Sequence, residues 1–230
     1  MLWQEKSDDS NFVVPDNILD LSFRITCREL PVDHAWQLYS AILQHLPWLD
    51  HEQNACIHSI HVAASGNGWT RPTETPGSML QLSRRTRLYL RLPRSRISDA
   101  SELSEKKLMV GDIPVEIGSF QTKPLVVTNT VFCRSLSGFD ASDEDAFTEQ
   151  VAEALKALGI NATKMLCGLS HVVHSPTGDK TARSLLLADL QLEESLYLQQ
   201  YGLGMEKLLG CGIFLPHKSL AAVGSSQDTG

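Results

Sequence analysis

Three groups of residues in this chain have types and spacings that could do chemistry. The first is the window "YGLGMEKLLGCGIFLPHK", Tyr201 to Lys218, where Gly202, Gly204, Gly210 and Gly212 surround the charged pair Glu206 and Lys207. Glycine costs backbone entropy, and this composition is not that of a Ser/Pro-rich linker, so the spacing predicts that something approaches this backbone closely. The order G-x-G-x5-G-x-G after a short helix does not meet the dinucleotide fingerprint, and neither Gly204 nor Gly210 leads into the Lys-Ser/Thr pair of a P-loop. Two readings stay open: a loop whose N–H groups, with Lys207 beside them, reach a phosphate chain, or a helix C-cap followed by a tight turn.

The second group is "RRTRLYLRLPRSR", with six arginines and no acid: Arg84, Arg85, Arg87, Arg91, Arg94 and Arg96. On a strand, Arg85, Arg87, Tyr89 and Arg91 share one face, while Leu88, Leu90 and Leu92 share the other. Arginines around an aromatic suit phosphate contact and base stacking; the competing reading is a charged face that protects an edge strand. The third group is histidine, whose imidazole titrates near neutrality and serves either proton role. His34 follows Asp33 at the expected start of a helix, where first-turn N–H groups favour an anion. His45 lies on the same helical face but roughly 16 Å further along. Tyr39 falls in the apolar stripe and reads as core. His58 with His61, and His171 with His174, are three apart on predicted strands, so each pair points to opposite faces and no metal site is expected.

The elements that must position these residues follow from periodicity. Strands are predicted at 17–27, 54–65, 86–93 and, straight or kinked, at 108–118; a helix runs from an Asp33 cap to Pro47, and a short one covers 98–107. The second half repeats the order, with strands at 123–134, 162–175, 182–192 and 212–216. Its helices are one capped by Ser142 or Asp143 and ended by Gly159, and a short one at 193–201. Two βαββαβ units predict an α+β protein of two tandem ferredoxin-like, RRM-like domains, 1–118 and 119–230, with the glycine-rich loop 202–212 in the second. Trp69, in the Gly/Thr/Pro loop 66–78, is either a stacking residue or an anchor to the core.

Composition bounds the possibilities. At 230 residues and 42% hydrophobic content the chain can bury one large core or two small ones. No apolar run reaches the roughly 18–20 residues of a membrane span, and "MLWQEKSDDSNF" has neither a basic n-region nor an apolar h-region, so a soluble cytoplasmic protein without membrane partners is expected. Five widely spaced cysteines without C-x-x-C read as reduced, mostly buried thiols. The net charge of -7 sits mainly in the N-terminal tail and at 139–150, leaving the arginine stripe locally basic.

"LSFRITCRELPVDHAWQLYSAILQHLPWL", "IHSIHVAASGNGW", "LQLSRRTRLYLRLP" and "GLGMEKLLGCGIFLPHK", in that order over residues 18–219, resemble the CRISPR repeat-RNA endoribonucleases. These belong to the repeat-associated mysterious protein superfamily, and the blocks are most like the subtype first named for myxobacterial and cyanobacterial (MYXAN) systems. The resemblance implies cleavage of precursor CRISPR RNA without metal or cofactor, by attack of a ribose 2′-OH that leaves a 2′,3′-cyclic phosphate. It implies His34 as the catalytic histidine, with His45 as the fallback. Some relatives place a Tyr or Lys beside that His; no Tyr here lies within one helical turn of it. RNA contacts are expected from Arg84, Arg85, Arg87, Tyr89, Arg91, Arg94, Arg96, Gly202, Gly204, Lys207, Gly210, Gly212, His217 and Lys218. The implied partners are a CRISPR repeat stem-loop and other subunits of an effector complex. The alternatives are a non-catalytic repeat-RNA-binding subunit and an unrelated module that takes a small anion at the glycine loop.

Overall fold

The computed structural model describes residues 13–61 and 77–217, so Trp69 and Lys218 lie outside the described residues. The chain is mixed α+β. Its first half holds β1 (Ile18–Thr26), β2 (Glu29–Pro31), α1 (Ala35–Leu43), β3 (Cys56–Ile57), β4 (Met79–Gln81), β5 (Arg87–Pro93), α2 (Ile97–Ser101), β6 (Lys107–Val110) and β7 (Ile113–Lys123). Five of these strands form a sheet in the order β3-β5-β1-β7-β6, antiparallel throughout, and β2 pairs with β4 separately. Alternation decides which face is covered. Leu21, Phe23 and Ile25 of β1 and Leu88, Leu90 and Leu92 of β5 are buried against Leu38, Ala41 and Ile42 of α1. Burial of such a side chain contributes roughly 1.5–3 kcal/mol.

The second half holds β8 (Val131–Ser137), α3 (Glu144–Ala157), β9 (Lys164–Val173), β10 (Lys180–Ala188), α4 (Leu192–Tyr201) and β11 (Phe214–Pro216). They give a four-stranded antiparallel sheet in the order β11-β8-β10-β9. Asp143 accepts the N–H groups of Asp145 (2.9 Å) and Ala146 (3.0 Å), capping α3, and Gly159 at φ 74° ends it. Phe147, Val151 and Leu155 of α3 close a core with Val131, Cys133, Leu185, Leu187 and Phe214. A small third cluster joins the halves: Val173, Ala182, Leu209 and Cys211 pack on Ala35, Trp36 and Tyr39 of α1.

Several boundaries differ from the sequence expectation. The stretch at 108–118 is a hairpin, because Gly111 at φ 61° and Asp112 turn the chain between Val110 and Ile113. Of the strand expected at 54–65, the described part pairs only at Cys56–Ile57. Lys123, expected to start the fifth strand, instead closes β7, and β8 begins at Val131. Asp33 does not cap α1; His34 holds the N-cap position, without a side-chain cap bond.

Candidate active site

Between the two sheets lies a cleft of about 940 Å³. The chain entering α1 supplies Asp33 and His34 on one side, with Ser59 and His61 following β3; β8 and β9 supply Arg134, Ser135, Ser170, His171 and His174 on the other. His34 is buried, and its ring is held at both nitrogens. Nδ1 lies 2.8 Å from the Pro31 carbonyl, and Nε2 lies 3.0 Å from the Ile60 backbone nitrogen. A carbonyl only accepts and an amide N–H only donates, so the imidazole is the neutral tautomer with its proton on Nδ1 and its lone pair on Nε2. His34 stands at the N-cap of α1 and lines the cleft wall.

Across the cleft, His171 Nε2 is 2.9 Å from Ser135 Oγ. His171 is half-buried and lies opposite Ala182 in the β9–β10 ladder. Arg134 is exposed, with its guanidinium 5.7 Å from the centre of the Phe132 ring. His174 lies past the end of β9, 2.9 Å from an Asp179 carboxylate. Strand geometry was expected to send His171 and His174 to opposite faces; both line the cleft, because β9 ends at Val173 between them. His45 sits half-buried in the turn after α1 and is not among the cleft-lining residues. Tyr39 packs 5.3 Å from Trp36 and donates to Asp50 at 2.7 Å.

The arginine stripe is only partly a free basic surface. Its alternation is as expected, with the leucines inward, but Arg91 is 1% exposed, which corrects its expected role as an RNA contact. Its guanidinium donates to both Asp20 carboxylate oxygens (2.7 and 3.0 Å) and, from the other half of the chain, to the carbonyls of Gln199 (2.6 Å) and Phe214 (2.9 Å). Arg94 pairs with Asp16, and Arg96 with Glu52 and Asp99. Asp99 lies only three residues beyond Arg96, but Asp20, Asp16 and Glu52 come from β1, the segment before it and the turns that follow α1, where local sequence does not show them beside the stripe. Arg84 and Arg85 remain exposed on the turn before β5, where Arg87 donates to the Arg84 and Thr86 carbonyls. Tyr89 takes Lys123 both at its hydroxyl (3.1 Å) and over its ring (5.1 Å). Burial raises the Tyr89 phenol, but the hydrogen bonds of Ser22 and Lys123 and the Lys123 charge outweigh it and hold it below its ordinary value.

Beside Arg91, burial works to raise the Asp20 carboxyl, yet the Arg91 charge and hydrogen bonds win and keep it below the usual carboxylate range. His58 stacks 5.8 Å from Tyr89, with Nε2 3.7 Å from Asp20 and no hydrogen-bond partner among the described residues. Burial pushes its imidazole down to about 4, against the pull of Asp20. Burial likewise lifts the Cys56 and Cys211 thiols to about 11 and Cys133 to about 12.

The glycine window is approached closely, and by the protein itself: by backbone carbonyls at three glycines and by a side chain at the fourth. All four glycines have positive φ. A Cβ on Gly202 would stand 2.3 Å from the Gly212 carbonyl, one on Gly212 2.2 Å from the Leu203 carbonyl, and one on Gly204 2.2 Å from the Ser137 carbonyl. One on Gly210 would stand 2.0 Å from Ser59 Oγ. The N–H groups of Gly202, Gly210 and Gly212 already donate to Leu198, Lys207 and Ser135, which corrects the reading of these three as an open phosphate cradle. Lys207 is half-buried, and His217 is exposed, 6.1 Å from Phe132. Sequence reasoning did not single out Arg134 or Ser135; alternation in "VFCRS" points Arg134 outward, but nothing local says that it lines the same cleft as His34.

Comparison with known proteins agrees with this architecture. The family model described as "Cas6 Crispr" matches residues 19–219. A "CRISPR-associated endonuclease Cas6" of Myxococcus xanthus (strain DK1622) is 31% identical over 208 residues, 90% of this chain and 85% of that protein. Among solved structures, "CRISPR associated protein Cas6" superposes with a TM-score of 0.59 at 10% identity, over 87% of this chain and 100% of that one. "An RAMP protein binding different RNA substrates" superposes with a TM-score of 0.58 at 12% identity, over 86% of this chain and 98% of that one.

Proposed function

The chain belongs to the Cas6 CRISPR family, and from that premise we propose that it is a metal-independent endoribonuclease that binds CRISPR repeat RNA and cuts it in the cleft between its two sheets. The observation that carries this reading is the gathering of imidazoles (His34, His61, His171, His174), hydroxyls and the Arg134 guanidinium in one cleft built from both halves of the chain. Attack of a ribose 2′-OH on the adjacent phosphorus needs a group to take the 2′ proton, a group to protonate the departing 5′ oxygen, and a cation beside the phosphorane oxygens. Imidazoles fill the first two roles and Arg134 the third. His34 takes the proton, because its Nε2 carries a lone pair once RNA displaces the Ile60 N–H.

The strand orders β3-β5-β1-β7 and β11-β8-β10-β9 support the reading as two tandem ferredoxin-like domains, each a split βαβ unit, with β6 added at the edge of the first; because β7 runs on to Lys123 in the first sheet, the boundary expected between 118 and 119 moves to the segment between Lys123 and Val131. In that frame the glycine-rich loop shapes the joint between domains, and Lys207, His217 and Lys218 extend the RNA track that Arg84, Arg85 and Arg87 begin. Phosphate contacts position the stem and supply most of the affinity; its shape and a few base edges specify it. The cut repeat stays bound, and the protein enters a cytoplasmic effector complex with it.

One observation favours a second reading, a repeat-RNA-binding subunit without turnover: both His34 ring nitrogens already have protein partners. The two separate in one experiment. Wild type and His34→Ala are incubated with their host's repeat RNA in EDTA, and the product ends are weighed. Cyclic phosphate from wild type alone, with binding retained in the variant, is the expected result. Tight binding with no cleavage by either protein sinks the enzyme reading and leaves the binding subunit.

A further inference from the structure

We infer that His171 is the second proton-transfer group of this cleft, the acid that protonates the departing 5′ oxygen while His34 takes the proton of the 2′-OH. The inference rests on the endoribonuclease reading above and adds to it the group that α1 does not supply. Two residues beyond His171, Val173 belongs to the small apolar cluster on which Ala35, the residue after His34, packs, so the end of β9 and the first turn of α1 share one patch of core. The two imidazoles therefore face one cleft from opposite domains.

Among the other cleft histidines, His171 is the one held for the task. It sits in the β9–β10 ladder opposite Ala182, which fixes its backbone, and the buried Ser135 hydroxyl fixes its ring plane through Nε2. With Nε2 given to the Ser135 hydroxyl, the proton that RNA binding brings to the departing oxygen is the one on Nδ1. His174 lies past the strand end and is tied to Asp179 at the rim, where both side chains are 58% exposed. His61 lies in no helix or strand. Arg134, next to Ser135 on β8, brings a cation to the wall that carries His171.

The step balances without a co-reactant. The 2′ oxygen bonds to phosphorus and gives its proton to His34 Nε2. The bond from phosphorus to the 5′ oxygen breaks, its electron pair stays on that oxygen, and the His171 proton makes it a hydroxyl. The product is a 2′,3′-cyclic phosphate, and solvent later returns both imidazoles to their starting states.

A leaving group that needs no acid isolates this role. After wild type has been used to map the cut, the repeat RNA is made with sulfur in place of the bridging 5′ oxygen at that bond. His171→Gln and His171→Asn are then compared with wild type on both RNAs under single turnover at saturating protein, with Kd for uncut RNA as the check on folding. Loss of the acid slows the ordinary RNA by about 100-fold or more, while the sulfur RNA is cut within about tenfold of wild type; His34→Ala stays slow on both. Equal slowing on the two RNAs, no slowing at all, or a defect in Kd alone overturns the assignment of His171. Failure of wild type to cut either RNA instead overturns the endoribonuclease reading itself, so the two failures are told apart.

Discussion

Arg91 and His34 each stand where the two halves of the chain meet, yet their surroundings are opposite. Around Arg91 the charges are matched: Asp20 takes two of its donors, and the carbonyls of Gln199 and Phe214 are reached from the same guanidinium. Around His34 the groups are held but the space is open, a cleft of about 940 Å³ with imidazoles, hydroxyls and Arg134 on its walls. A closed, paired seam ties the two halves of the chain together; an adjoining open one can then present groups from both halves to a substrate. Rigid support beneath a site is what keeps reacting groups in place.

The first way to break this comparison is to open the closed seam. Arg91→Met leaves the half-buried Asp20 without its cation and should destabilise the fold by about 3 kcal/mol, read as a lower urea midpoint at unchanged m. Adding Asp20→Leu should recover part of that loss. A smaller effect comes from pH. Above pH 6.5 His58 is neutral folded or unfolded; as pH falls toward about 4, the unfolded chain takes a proton that the folded one refuses. Stability should therefore decline across that window by up to about 3 kcal/mol, and His58→Phe should flatten the decline. The lowered Asp20 carboxyl adds its loss below its ordinary 3.8, as pH falls through its folded value.

Glycine substitutions sharpen the comparison further. Gly212→Ala forces a Cβ to 2.2 Å from the Leu203 carbonyl at φ 66°, while Gly159→Ala at φ 74° meets nothing within 4 Å. The first should cost more than about 2 kcal/mol and the second about 1, measured by thermal or urea unfolding. The smallest change in stability belongs to Arg84→Ala and Arg85→Ala, within about 0.5 kcal/mol. Each should nonetheless weaken repeat-RNA binding and lower the salt slope of log affinity by about one; unchanged slopes would remove that turn from the RNA track.

Local pattern made much of the scaffold legible. The leucines of β5 alternate inward, Asp143 caps α3, and Gly159 ends it, all from spacing and residue type. One misread part is a local turn, and the others depend on contacts distant in sequence. "LMVGDIPVEIG" looks continuous in hydropathy, but Gly111 and Asp112 fold it on itself. Arg91 looked like a free cation because its acid lies in β1, 71 residues away. The glycines announced a close approach without saying whose backbone it was. His34 was singled out from its place at a helix start, and its pinned ring depends on Ile60, 26 residues on. Alternation turns Arg134 outward, but nothing local says that it and Ser135 share a cleft with His34 and Ala35, a hundred residues earlier.

The most direct measurement is where the RNA touches the protein at the bond that is cut. Repeat RNA with a photo-crosslinking base beside that bond, irradiated with His34→Ala so that it stays whole, should join to peptides from Pro31–Ala35 or from the His171–His174 end of β9. Cross-links confined to Arg84–Arg87, with none in the cleft, would contradict the account.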